Sequence, residues 1–215
     1  IIQLIAMPFI YFLEIPKPKK SPSSERKVIE ILKSPSMIRA VVSAAGGYSI
    51  MSYLMTATPL QIVNICKFGI SDNALIIQWH VVAMFAPSFF TGSLIQRFNA
   101  QKVLIAGIIA YIFVILIAVI AETPFHYLST LFLLGIGWNF LYVGGSSLIV
   151  KLAKPSEQGK IQGIADLIIF GSVATASLSA GLMHYLIGWD KMVLWSIPIL
   201  IIIAIVNLIK IEEKN

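Results

Sequence analysis

From Val103 to Ala121 the chain reads VLIAGIIAYIFVILIAVIA, without one charged side chain and without a polar face. A helix that is apolar all round has nothing to present to water, so it belongs inside a large core or a bilayer. The run is also close to the ~20 residues that a helix needs to cross a hydrocarbon core. Runs of the same kind recur along the chain with only a few polar residues between them. A soluble core can hide one such helix, but not a set of them. Composition agrees: 58% of residues are hydrophobic and 12% are charged, about half the charge of a soluble domain. The expected fold class is an all-α polytopic membrane protein.

The apolar pattern divides the chain. Residues 1–13 are apolar but too short to cross a bilayer, and they read as the end of a truncated transmembrane helix. Residues 14–36 are rich in Pro, Ser and Lys and read as a linker. Within it, SSERKVIEILK predicts a short amphipathic helix with Val28, Ile31 and Leu32 on one face. Residues 37–211 form a bundle of six spans, near 37–65, 71–95, 100–121, 124–152, 155–187 and 189–211. Ser71, Asn99, Thr123-Pro124 and Pro155-Ser156 are the expected helix starts. Residues 212–215 are a tail. The connections are short, so consecutive spans are antiparallel neighbours.

Charge placement orients this bundle. Of the 16 Lys and Arg, only Lys67 and Lys191 fall on one side. The rest sit in the linker, in the turns at 96–102 and 151–160, in the tail, and at Arg39. The positive-inside rule makes the basic side cytoplasmic, including the linker and the C-terminus, in a cell inner membrane. The single cysteine, Cys66, excludes an internal disulfide. The +6 net charge meets anionic lipid and lacks the aromatic interleaving of a nucleic-acid site. There is no GxSxG, HExxH, P-loop or metal-spaced Cys/His set, so no catalytic residue, metal or cofactor is expected.

The turn GSLIQRFNAQK sits between the second and third spans. Gly92, one helical turn before Gln96 and Arg97, is expected to let another helix approach closely. Arg97 and Lys102 lie at the membrane surface, placed to meet helix-terminal carbonyls or lipid phosphates. This stretch resembles the G-x-x-x-[DN]-R-x-G-x-[KR] loop of the major facilitator superfamily, carried here by Gly92, Gln96, Arg97, Asn99 and Lys102. Gln96 stands where the family has an acid and Asn99 where it has a glycine, as in the weaker second copy of the motif. PSEQGKIQG, from Pro155 to Gly163, resembles the P-E-x-R-G-x-x-x-G entry to that family's eleventh helix. The resemblance implies the end of helix six, the central loop, and helices seven to twelve of a twelve-helix bundle. It implies a secondary transporter working by alternating access on a small solute, with a missing N-terminal six-helix half as partner. It also implies a cytoplasmic gate at Gly92, Arg97 and Lys102. SYLMTATPLQIV with QWHVVAMFAPSFFTGSLIQRF resembles a bacterial subgroup associated with vitamin uptake, riboflavin among the candidates.

Polar residues inside spans are costly and turn toward the bundle interior. Asp166 is the acid within a span, either a proton-coupling site or the partner of a basic residue. His80, in the second span, is either a proton relay or a neutral imidazole bonded to a neighbouring helix. Tyr48, Ser52 and Thr56 recur every four residues on the first span, near Gly46-Gly47 and Pro59. They suit a bent gating helix lining a substrate site, or close small-residue packing. Gln61 and Asn64 are expected to meet water, Trp189 and Trp195 to anchor at an interface, and His126 and His184 to play no part. In GIGWNFLYVGG, Trp138, Asn139 and Tyr142 are spaced so that rings and amide converge. Such a set suits a planar solute, or an aromatic wedged in a Gly-rich seam. The expected function is solute transport, with substrate held by Trp138, Asn139, Tyr142, Thr56, Tyr48 and Ser52 and protons coupled through Asp166 or His80. The alternatives are a split or inactive transporter half, and a polytopic membrane enzyme or sensor. The last needs a polar cluster at one depth, whereas Asp166 and His80 lie near opposite ends of their spans.

Overall fold

The structure, a computed structural model, describes residues 28–209. The helix end expected at 1–13, the part of the expected linker before Val28 and the expected tail at 212–215 lie outside these residues. Every regular element among the described residues is helical. Span 1 is Pro35–Pro59, continued by a π-helical turn, Leu60–Ile65. Span 2 is Ile70–Phe85 and Ser88–Phe98, with a break at Ala86-Pro87. Span 3 is Ala100–Val119. Span 4 is Pro124–Trp138 and Gly144–Leu152, joined through a π-helical turn, Asn139–Val143. Gln158–Leu208 is 51 residues long, more than twice one crossing. Gly188, at φ 77° and ψ 172°, breaks it into span 5 and span 6. Only glycine adopts that backbone without strain.

In lipid there is no hydrophobic drive between helices, so association rests on close packing and interhelical hydrogen bonds. Span 1 is the central helix, packed on spans 4, 5 and 6. Leu141, in the π turn of span 4, wedges between Gly47 of span 1 and Gly107 of span 3. A Cβ on Gly47 would lie 2.6 Å from Leu141 Cβ. A Cβ on Gly145 would lie 2.7 Å from the Ala40 carbonyl oxygen, and one on Gly135 would lie 2.7 Å from that of His80. The Tyr111 hydroxyl donates to the Gly47 carbonyl at 2.7 Å. Helix 35–59 runs unbroken through Gly46-Gly47, which therefore serve packing. The α-helical hydrogen bonding ends after Pro59, where the π turn begins.

Asn99 (φ 71°) and Thr123 cap their helices as expected: their side-chain oxygens accept from Lys102 N–H at 3.0 Å and His126 N–H at 3.3 Å. Two starts differ. Ser71 is exposed, and the second span instead opens at Gly69, whose N–H donates to the Asp72 carboxylate at 3.1 Å. The fifth begins at Gln158, past Pro155-Ser156, because Glu157 folds back to accept from Lys154 N–H at 3.2 Å. In the linker, Val28–Leu32 is helical as read, with Ile31 buried against the basic ends of spans 1 and 5. At Gly92 a Cβ would meet nothing within 4 Å, so no helix among the described residues approaches it.

Candidate functional site

One adjustment of helix geometry lies at the fourth span's aromatics. The π turn at Asn139–Val143 widens the helix, and π turns of this kind are frequent at functional sites. Across it Trp138 stacks on Tyr142, with ring centroids 5.2 Å apart and planes 19° apart. Tyr48 of span 1 meets both edge-on, at 5.3 Å from Trp138 and 5.0 Å from Tyr142. Phe170 of span 5 stands against Tyr48 at 6.0 Å, and Phe85 of span 2 against Trp138 at 5.9 Å. Five rings from four spans thus form one shelf. Offset and edge-on pairs of this kind each add roughly 0.5–1.5 kcal/mol beyond area burial. Phe85 is 56% exposed and Phe170 48%, whereas Trp138 is 5% exposed and forms the floor. The Trp138 indole N–H is buried without an acceptor among the described residues. Phe85 and Phe170 were missed in the sequence because each is a lone Phe in an apolar run. Nothing local separates such a ring from one that faces lipid.

Asn139 departs from the expected convergence. Its Nδ2 donates to the Met84 carbonyl at 2.7 Å and to Ser88 Oγ at 2.6 Å, and its Oδ1 accepts from Thr91 Oγ1 at 2.6 Å. The side chain is wholly buried. It bolts the π turn of span 4 to the break in span 2 and turns away from the rings. Asn139 is next to Trp138, and neighbours on a helix point about 100° apart, so ring and amide serve opposite sides.

His80 is also wholly buried, and its Nδ1 lies 2.6 Å from the Leu131 carbonyl oxygen. A carbonyl only accepts, so Nδ1 carries the proton. His80 Nε2 has no partner among the described residues. The Leu131 bond is the contact that the bonded-imidazole reading expects, and it holds the ring against span 4. Asp166 is half-exposed on span 5, within electrostatic reach of Tyr142. Of the span 1 stripe, Tyr48 joins the shelf, Ser52 Oγ bonds Ser177 Oγ of span 5 at 2.5 Å, and Thr56 is exposed.

Several residues set aside in the sequence take part in interhelical bonding. Gln61 Oε1 accepts from His184 Nε2 at 2.9 Å, while its Nε2 donates to the Tyr127 hydroxyl at 3.2 Å. So Gln61 is not simply a solvated end residue, and His184 is not idle. Trp189 is buried, its Nε1 donating to the Ala118 carbonyl at 2.9 Å, so it pins the core and does not anchor at an interface. Trp195 is 66% exposed, as an anchor requires.

At the basic end, Arg97 and Lys102 are exposed, and the Arg97 guanidinium lies 5.2 Å over the ring of its neighbour Phe98. Helix-terminal carbonyls are held there by other residues. Arg39 of span 1 is buried and donates Nε to the Val206 carbonyl at 3.1 Å, and it also bonds Ile209. Gln101 of span 3 donates to the Asn207 carbonyl at 2.7 Å. A cation among the orphan carbonyls of a helix C-terminus is favourable.

Packed apolar helices, four of them long enough to cross a membrane, with half-exposed aromatics on one face, define a polytopic membrane protein. The family model of the Major Facilitator Superfamily matches residues 67–215. The chain belongs to that family. It is 37% identical over 219 residues to the "Riboflavin transporter RfnT" of Brucella anthropi, a match covering all of this chain and 55% of that protein. It is 33% identical over 168 residues to an uncharacterized MFS-type transporter, YddS, of Bacillus subtilis, covering 76% of this chain and 36% of that protein. A second Bacillus subtilis protein, the uncharacterized YdeG, is 30% identical over 136 residues. The chain thus spans about half the length of the first relative and about a third of the other two. It is a multi-pass membrane protein of a transporter family, whose members carry small-molecule solutes.

Proposed function

We propose that this chain is the C-terminal half of an inner-membrane permease that carries a flat heteroaromatic solute of the riboflavin kind by alternating access. The basic turns and the linker face the cytoplasm, and a second six-helix half closes over the shelf. The observation that carries this reading is the five-ring shelf built on the Trp138–Tyr142 stack. Aromatic faces bind flat π-systems with little loss of side-chain freedom. The unpartnered Trp138 indole N–H is a donor available to a ring nitrogen or carbonyl once the covering rings shift. The likeness to a protein named for riboflavin transport points to the same solute class. In this reading Tyr48, Tyr142, Phe85 and Phe170 touch the solute and Trp138 underlies it. Ser52 and Thr56 line the way outward, and Asn139 holds the π turn in shape. Asp166, beside Tyr142, is the proton-coupling group, and Gly92, Arg97 and Lys102 meet the other half at the cytoplasmic gate.

The test is uptake of radiolabelled riboflavin by cells expressing the full-length protein, with membrane-inserted amount measured in parallel. Saturable uptake in the wild type, lost in Trp138→Ala at unchanged insertion, supports the reading. Absence of saturable uptake, or a Trp138→Ala variant with wild-type kinetics, removes it.

A further inference from the structure

Span 5 carries one continuous stripe. Asp166, Phe170, Ser177 and His184 are separated by 4, 11 and 18 residues from the first. At ~100° per residue those offsets return to within about 40° of one line. The helix is regular throughout that stretch. Eighteen residues rise about 27 Å, nearly the ~30 Å thickness of a bilayer core. The stripe therefore runs almost from one face of the membrane to the other.

Each member of the stripe has a partner across the seam. Asp166 lies within electrostatic reach of Tyr142 of the adjoining span 4, and Phe170 stands 6.0 Å from Tyr48 of span 1. Ser177 bonds Ser52 at 2.5 Å, and His184 bonds Gln61 at 2.9 Å. The chemistry changes in order along the seam: carboxylate, aromatic shelf, hydroxyl pair, then amide and imidazole. The hydroxyls, the amide and the imidazole are all half-buried. A hydroxyl pair has one hydrogen bond between its members and keeps further lone pairs and a second O–H. Such a pair can open to a solute hydroxyl without leaving a buried group unsatisfied.

Resting on the reading that the shelf holds a flat ring, we infer that the seam between spans 1 and 5 reads a hydroxylated chain attached to that ring. Ser52 and Ser177 are the specificity-determining residues, and the chain points from the shelf toward Gln61 and His184. The solute class is then a planar heteroaromatic bearing a polyhydroxylated side chain. A bare ring occupies the shelf alone. The ring supplies stacking, and the chain supplies the hydrogen bonds that set it apart from other flat solutes. A site built to bond a hydroxyl rejects the analogue that lacks it, because its own polar groups go unpaired.

Two probes separate these parts: riboflavin, and lumiflavin, the same ring with a methyl in place of the hydroxylated chain. Binding is read on the purified full-length protein by quenching of flavin fluorescence. The wild type is expected to favour riboflavin. In the Ser52→Ala, Ser177→Ala double variant riboflavin binding weakens about tenfold, the worth of one or two hydrogen bonds, while lumiflavin binding stays unchanged. Ser177→Thr keeps the hydroxyl and keeps the preference. Unchanged lumiflavin binding also reports that the shelf remains folded. Equal weakening of both flavins would mean the pair only fastens the two spans, and it overturns the inference, as does no weakening of either. If the wild type binds both flavins equally, the ring reading stands and the chain reading falls. If it binds neither, both fall together.

Discussion

Span 4 has two sides, and both carry polar side chains at mid-membrane. On the side toward span 2, Asn139 makes three hydrogen bonds to Met84, Ser88 and Thr91 and is wholly buried. His80 is bonded to Leu131, and Gly135 lets the His80 backbone come within reach of its own. On the side toward spans 1 and 5, the rings touch one another only by their edges and faces. Tyr48, Tyr142 and Phe170 stay partly open, as does Phe85, which span 2 contributes. The same residue types therefore do two jobs. A polar group with its hydrogen bonds satisfied and no exposure fixes helix geometry. A half-exposed aromatic or hydroxyl has spare capacity for a solute. Burial and partner count separate the two cases where residue identity does not.

Five substitutions sharpen or break that contrast, from the largest expected effect to the smallest. On the closed side, Gly135→Ala drives a Cβ to 2.7 Å from the His80 backbone carbonyl oxygen. It should destabilise the protein by about 1–3 kcal/mol or more, since rigid backbone must move. Thermal unfolding of the full-length protein in detergent reads this. Asn139→Leu leaves the Met84 carbonyl and two hydroxyls without their partner and should cost a similar or slightly smaller amount, about 1–3 kcal/mol. A wild-type melting point in Asn139→Leu would move Asn139 back to the open side.

On the open side, Phe170→Ala should weaken riboflavin uptake by roughly tenfold, about one lost stacking contact, and leave the melting point nearly unchanged. A matched fall in melting point would make the ring structural. Asp166→Asn should flatten the pH profile of uptake without lowering the amount of inserted protein. A retained wild-type profile would take Asp166 out of the proton path. At the bottom of the scale, Gly92→Ala has open space in this bundle, so stability should be within about 0.5 kcal/mol of wild type. Uptake measured beside it reports whether the other half needs that glycine.

The architecture was legible because it rests on short-range facts. An all-apolar run forces a span, and an Asn or Thr before it caps the helix locally, as Asn99 and Thr123 do. The Trp138–Tyr142 pairing was legible for the same reason, being four residues apart on one helix. What was not legible depended on neighbours distant in sequence. Gly92 and Gly47 look alike in the chain, yet Leu141 fills the space beside one and nothing in this bundle fills the space beside the other. Gln61 and His184 read as loose ends because their bond spans 123 residues. Arg39 read only as a positive charge, but it holds the last helix by carbonyls of residues 206 and 209.

By itself, the sequence determined the multi-pass membrane character, the helical class, helix starts such as Asn99 and Thr123, and the family. Each of these follows from composition, from local hydrogen bonding or from motifs read in order along the chain. Only the tertiary structure decided which mid-membrane polar residues are consumed and which remain open. Side-chain direction on a packed helix is set by what the neighbouring helices leave unfilled. Two residues next to each other in the chain, Trp138 and Asn139, were divided between shelf and bolt because successive helical positions point about 100° apart.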